Sequence, residues 1–136
     1  MYRFLIIEDH PMVARGVERF LEFHYNDCLI SKADSGEASL ELLGRNEYDI
    51  VLLDINLPDI SGIDLCRKIH TGWPHLRIIA ISGMIDKNSV IGIMEAGASG
   101  YILKTSIPDE ITDGIDAVMK GEKFLDNDLK SILLLS

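Results

Sequence analysis

Four short apolar runs each end in a residue that could do chemistry. Glu8-Asp9 follow Phe4–Ile7, Asp54 follows Ile50–Leu53, Ser82-Gly83 follow Ile78–Ile81, and Lys104 follows Tyr101–Leu103. Singly, each has an ordinary reading. An acid after a strand caps the next helix, a serine there makes a turn, and a lysine is a solvated charge. Together they suggest more. Two unit charges ~4 Å apart repel by about 4 kcal/mol at an effective dielectric of 20. Three gathered carboxylates therefore need a cation. Oxygen ligands open to water suit Mg²⁺, which takes a few carboxylates and keeps its waters. Mg²⁺ and the Lys104 ammonium together would balance the three negative charges.

These residues meet only if the strands lie side by side with their carboxyl ends at one edge. The four runs are continuously apolar, as in strands covered on both faces of a parallel sheet. A weaker fifth, Cys28–Ala33, mixes in Ser31 and Lys32 as an edge strand would. Helical patterns fill the gaps. Pro11 suits a first turn behind Asp9 or His10 as cap, with Met12, Val13, Val17, Phe20 and Leu21 on one face. Ser35 can cap a helix carrying Ala38, Leu42 and Leu43. Ser61 or Gly62 opens another with Ile63, Leu65, Cys66 and Ile69, which ends before Trp73-Pro74. Asp86 can cap a helix with Val90, Ile91, Ile93 and Met94, which stops at Gly97. Ser106 and Asp109 have capping-box spacing, ahead of Ile111, Ile115, Val118 and Met119. The β-α alternation, repeated five times, predicts an α/β, doubly wound, five-stranded parallel sheet, (βα)5, of order 2-1-3-4-5. In such sheets ligands gather outside the carboxyl ends of the strands.

Composition agrees with one folded domain. The chain has 136 residues, 47% apolar and 26% charged, within the usual range for a domain. Its formal net charge of -9 repels nucleic-acid phosphate, so direct nucleic-acid binding by this chain is not expected. Cys28 and Cys66 form no C-x-x-C, and the histidines show no zinc spacing. No apolar run approaches the ~20 residues that span a membrane. The start of the chain is too short and too soon acidic for a signal peptide. A soluble, cytoplasmic protein is expected.

Across residues 1 to about 121 the sequence resembles the receiver domains of two-component response regulators. Glu8-Asp9 match that family's metal-binding acidic pair. Asp54, in Val51-Leu52-Leu53-Asp54-Ile55-Asn56-Leu57-Pro58, matches its phosphorylated aspartate, and Gly62 the loop glycine that follows. Ser82 matches its hydroxyl, Gly83 the small residue beside it, Lys104 its lysine and Tyr101 its switch aromatic. Finer features resemble the NarL-like regulators with LuxR-type effectors: Glu8-Asp9-His10-Pro11, Gly100–Lys104 and Gly121–Leu125. Two departures stand out. The acidic pair is Glu-Asp where Asp-Asp is commoner, and Thr105 replaces a proline that in many receivers follows a cis bond. The isomer of the Lys104-Thr105 bond is left open.

The resemblance implies a flavodoxin-like receiver fold over 1-121, with 122-136 as a linker or tail towards a missing effector domain. It implies that a histidine kinase or phosphotransfer protein phosphorylates Asp54. Mg²⁺ would be held by Asp9, Asp54 and the Asn56 backbone carbonyl, with Glu8 acting through water. Lys104 would clamp a phosphoryl oxygen, Ser82 would hydrogen-bond the new group, and Tyr101 would turn inward. The readout surface would be residues 87-120, where a homodimer could also form, and DNA would be met only through the effector. The chain would promote its own phosphorylation and dephosphorylation and be no enzyme otherwise. Two other readings compete. A Mg²⁺-dependent aspartyl-phosphate phosphohydrolase would usually carry an aspartate two residues after the nucleophile, where this chain has Asn56. A degenerate receiver serving only for docking would have lost site residues, and none is missing. The aliphatic run Ile132–Leu135 suggests a segment that folds back on its own domain, packs in a dimer, or continues into a linker and effector in a longer chain.

Overall fold

The computed structural model describes residues 1–83, 86–127, 129 and 130, with backbone only for Pro108 and Asp109. The run Ile132–Leu135 and the side chain of Asp109 lie outside the described residues. Five strands alternate with five helices in the order β1 (Tyr2–Ile7), α1 (Pro11–His24), β2 (Cys28–Ala33), α2 (Gly36–Arg45), β3 (Ile50–Asp54), α3 (Gly62–Gly72), β4 (Arg77–Ser82), α4 (Lys87–Glu95), β5 (Gly100–Leu103) and α5 (Ile107–Met119). All pair in parallel, in the order β2-β1-β3-β4-β5, as the apolar runs predict.

The alternation of side chains along each strand divides the core in two. Leu5, Ile7, Val51, Leu53, Ile78 and Ala80 face the layer of α2, α3 and α4. Phe4, Ile6, Ile50, Leu52, Ile79 and Ile81 face α1 and α5. Burying one such aliphatic fully is worth about 1.5–3 kcal/mol. A one-residue slip in register would swap the two layers, so packing fixes which strand ends meet.

Local signals place the helices. The Ser35 hydroxyl accepts from the Ala38 N–H, Ser61 from Asp64 and the Asp86 carboxylate from Asn88, each at a helix start. Two expected capping bonds are absent. His10 is the N-cap of α1, one of the two residues expected there, but its side chain makes no capping bond. Ser106 makes no capping bond, because a 3-10 turn, Lys104–Ser106, leads into α5. Two apolar positions also face outward. Met12 is 88% exposed, since it lies roughly 140° around the helix from Val17. Ile91 is 44% exposed, while Val90 and Ile93 are buried.

The sheet has one strand more than expected, β6 (Phe124–Leu125), paired in parallel with β5. After α5 the chain reverses at Gly121, whose φ of +86° falls where only glycine is comfortable. It then runs back along β5, aligning Phe124 with Gly100 and Leu125 with Tyr101. Two residues beyond a helix give no periodicity to read, which is why β6 escaped the sequence pattern. The stretch expected to be linker is therefore part of the sheet at its start.

Candidate functional site

Register brings the functional side chains together. Ile7 pairs with Leu53, Asp54 with Ile81, and Ser82 with Leu103. Glu8, Asp54, Ser82 and Lys104 are thus consecutive steps across one edge of the sheet.

Asp54 ends β3 and is 2% exposed. Its Oδ1 accepts the Asn56 backbone N–H at 3.0 Å, and its Oδ2 lies 3.4 Å from Lys104 Nζ. The same ammonium is 3.1 Å from Glu8 Oε1. Glu8 Oε2 accepts the His10 backbone N–H at 3.2 Å, with His10 Nδ1 at 3.1 Å. Asp9 Oδ1 is buried and accepts no hydrogen bond, although His10 Nδ1 stands 3.2 Å away. Each of Glu8, Asp9, His10 and Asp54 offers one atom to a set lying within 4.8 Å of one another. The sequence assigns His10 no part in the site, only a cap and a place in the Glu8-Asp9-His10-Pro11 motif. Its adjacency to the acidic pair was the available signal.

Crowding shows in the acidities. Burial, with the hydrogen bond to Glu8 next, pushes the Asp54 carboxyl up to about 6. Burial acts on Glu8 too, but bonds with Asp54, the His10 backbone and Lys104 outweigh it and hold Glu8 low, at about 2. Lys104 loses solvation but is held above its ordinary value by Glu8 and Asp54. Like charges close together cannot all ionise freely, and a divalent cation among them removes the conflict. The orphaned buried Asp9 oxygen and the three carboxylates of the set fit a hard cation. An acidic cluster able to hold a metal is thus present.

The loop after β3 is held at three points. The Gly62 N–H donates to the Ile55 carbonyl at 2.9 Å, and Asn56 bridges Ser61. A Cβ on Gly62 would sit 2.4 Å from the Ile55 Cα, so no larger residue fits there. Asp59, which the sequence did not single out, reaches across to α2. Its carboxylate accepts the Gly36 and Glu37 N–H groups at 2.9 and 3.0 Å, where the helix dipole favours an anion. Asp9, Asn56, Asp59 and Ser89 line a cavity of about 620 Å³ beside the carboxylates.

Ser82 and Tyr101 are both fully buried. Burial raises the Tyr101 hydroxyl above its ordinary value, and the nearby Ser82 side chain partly offsets that. The aromatic ring is therefore already inside the fold. The Lys104-Thr105 bond is trans, as are all peptide bonds among the described residues.

The response regulator receiver domain family matches residues 4–116, which span every element of this site. The chain belongs to that family. This receiver is 35% identical, over 93% of its length, to the transcriptional regulatory protein LiaR of Bacillus subtilis, covering 60% of that protein. It is 31% identical over 90% of its length to the nitrate/nitrite response regulator NarP of Escherichia coli, covering 57% of it. A crystal structure of a LuxR-family two-component response regulator from Aurantimonas superposes with a TM-score of 0.90 at 28% identity. That match covers 96% of this chain and 94% of the other. The finer resemblance to LuxR-type regulators agrees with it. The receiver spans about three fifths of the length of the curated relatives it matches. Receiver domains are phosphorylation-dependent relays in two-component signalling, and this chain has that role. No helix among the described residues is long and apolar enough to cross a membrane.

Proposed function

We propose that Asp54 is the phosphoacceptor of this receiver. The observation that carries the reading is Lys104 Nζ at 3.1 and 3.4 Å from Glu8 and Asp54, at the sheet edge where β1, β3 and β5 end. The donor would be a phosphohistidine on a histidine kinase or phosphotransfer protein. An Asp54 carboxylate oxygen attacks phosphorus, the P–O bond forms, and the P–N bond breaks with its electron pair leaving on the imidazole. A carboxylate needs no proton removed, so positioning and charge neutralisation supply the rate. The Asn56 N–H fixes one Asp54 oxygen, and Lys104 stands ready to neutralise a phosphoryl oxygen.

Asp9, Asp54 and the Asn56 backbone carbonyl would hold Mg²⁺, with Glu8 acting through water. When bound, the ion offsets the charge that gathers at phosphorus. The new group then offers Ser82 an acceptor, and the buried Ser82 and Tyr101 side chains are the pair that responds. The readout surface is residues 87-120, with self-association there as one use. The chain promotes only its own phosphorylation and dephosphorylation, in the cytoplasm. It forms a receiver over 1-121 whose sheet is extended by β6 (Phe124–Leu125), and the rest of 122-136 leads to an effector module that meets DNA in its place.

Intact mass after incubation with a small phosphodonor and Mg²⁺ tests this. Wild type should gain one phosphoryl group and Asp54→Asn none. An Asp54→Asn protein phosphorylated at the wild-type rate overturns the assignment.

A further inference from the structure

β6 ends at Leu125, yet its partner β5 continues to Leu103. The next rung of the ladder is made by a side chain. Asp126 is fully buried, and its Oδ2 accepts the Leu103 N–H at 3.1 Å. Its own N–H donates to the Tyr101 carbonyl at 3.1 Å. One residue thus grips β5 on both sides of Ile102, directly before Lys104. The grip is backed by packing. Leu129 is fully buried in the layer that includes Val90, Ile93, Tyr101 and Leu103. The Lys130 N–H returns to the Asp126 carbonyl at 3.0 Å. A buried carboxylate is costly unless bonded, so this one is retained where it orders a particular backbone group.

We propose that Asp126 is a positioning residue for Lys104, and that it ties the segment 124–130 to the phosphoryl site. The inference rests on the acceptor role proposed for Asp54. Lys104 reaches Glu8 and Asp54 from the end of β5, and Asp126 fixes the backbone from which it reaches. Coupling between sites is reciprocal. Whatever tightens the end of β5 around a phosphoryl group tightens its hold on the exit segment, and loosening that segment weakens the hold on the phosphoryl group.

The test uses the full chain and two titrations followed by NMR, Mg²⁺ alone and then beryllofluoride at saturating Mg²⁺. Asp126→Ala should weaken beryllofluoride binding about fivefold, the scale of one ordinary hydrogen bond. Mg²⁺ affinity should stay within about twofold, because Lys104 is assigned to the phosphoryl group, not to the metal. Asp126→Asn keeps an acceptor oxygen and should bind both as wild type does. A general loss of structure would weaken both ligands alike. That result overturns the proposal, as does Asp126→Ala binding beryllofluoride like wild type. Should Asp126→Ala fail to fold, wild type supplies the second arm. Beryllofluoride must change amide exchange at Leu103, Asp126 and Leu129, and unchanged exchange there overturns the coupling. Wild type that binds no beryllofluoride overturns the acceptor reading itself, and the inference with it.

Discussion

The Lys104 ammonium stands closer to Glu8, at 3.1 Å, than to Asp54, at 3.4 Å. The first residue of the acidic pair thus holds the lysine whose proposed partner is a phosphoryl oxygen. Lys104→Ala should leave Mg²⁺ binding at least as strong as in wild type, since a competing cation leaves the cluster. It should also abolish the amide shift changes over residues 87-120 that follow phosphorylation. A Mg²⁺ titration and a phosphorylated NMR spectrum read the two effects, and full wild-type shifts would remove Lys104 from the relay.

Asp9 should matter more to the metal than Glu8. Asp9 Oδ1 is buried and accepts no hydrogen bond, with only His10 Nδ1 at ion-pair distance, while Glu8 is committed to Lys104 and the His10 backbone. Asp9→Ala is expected to cost about tenfold or more in Mg²⁺ affinity, in the range of lost ligand support. Glu8→Ala should cost several-fold less. Calorimetric Mg²⁺ titrations decide, and equal losses would refute the ranking.

Asp59 anchors the loop that carries Asn56 onto the start of α2. Asp59→Ala should lower both the melting temperature and Mg²⁺ affinity. Ser35→Ala serves as the control, because it removes a cap of the same helix, worth about 1 kcal/mol, without touching the loop. It should lower the melting temperature alone. A matching loss of metal affinity in both variants would reduce Asp59 to a helix cap.

Acid should expose a separate clamp. The Arg3 N–H and guanidinium donate to Asp49 at 2.8, 3.3 and 3.2 Å, and the Asp49 N–H returns to the Arg3 carbonyl at 2.8 Å. Burial raises the Asp49 carboxyl, but these bonds outweigh it and leave it below the ordinary 3.8. A depressed carboxyl contributes stability above its unfolded value, which is lost as pH falls through the folded one. Wild type should therefore lose stability over Asp49→Asn as pH drops below 3.8. Urea melts at neutral and acid pH check the difference between the two slopes.

The sheet order and the site were legible because both are written in strand ends. Continuous apolarity marked β1, β3, β4 and β5, and the residues after each run converge once the strands are parallel. What escaped depends on chain reversals. Asp59 finds α2, and Asp126 finds β5, only after intervening helices bring distant segments together, and neither spacing carries a local period. His10 is visible in the sequence as a cap and in the Glu8-Asp9-His10-Pro11 motif, but nothing there gives it a part in the acidic set. Met12 and Ile91 face outward because the angle around the helix, not apolar character alone, decides which side chains are buried.

β6 has a consequence for assembly. A β5 boundary would offer four residues of open ladder, whereas β6 offers two, too few to template another chain. The long free boundary left is β2, six residues with Leu29 58% exposed and Lys32 engaged by Glu18 at 2.8 Å. Sheet growth would need two receptive margins per molecule, and the described residues offer a single long one. Two copies could join β2 to β2 only about a two-fold axis, in antiparallel sense, and that pairing uses up both margins. Among the described residues, edge-to-edge pairing through β2 is therefore complete at the dimer, with no second long edge from which strand addition would continue.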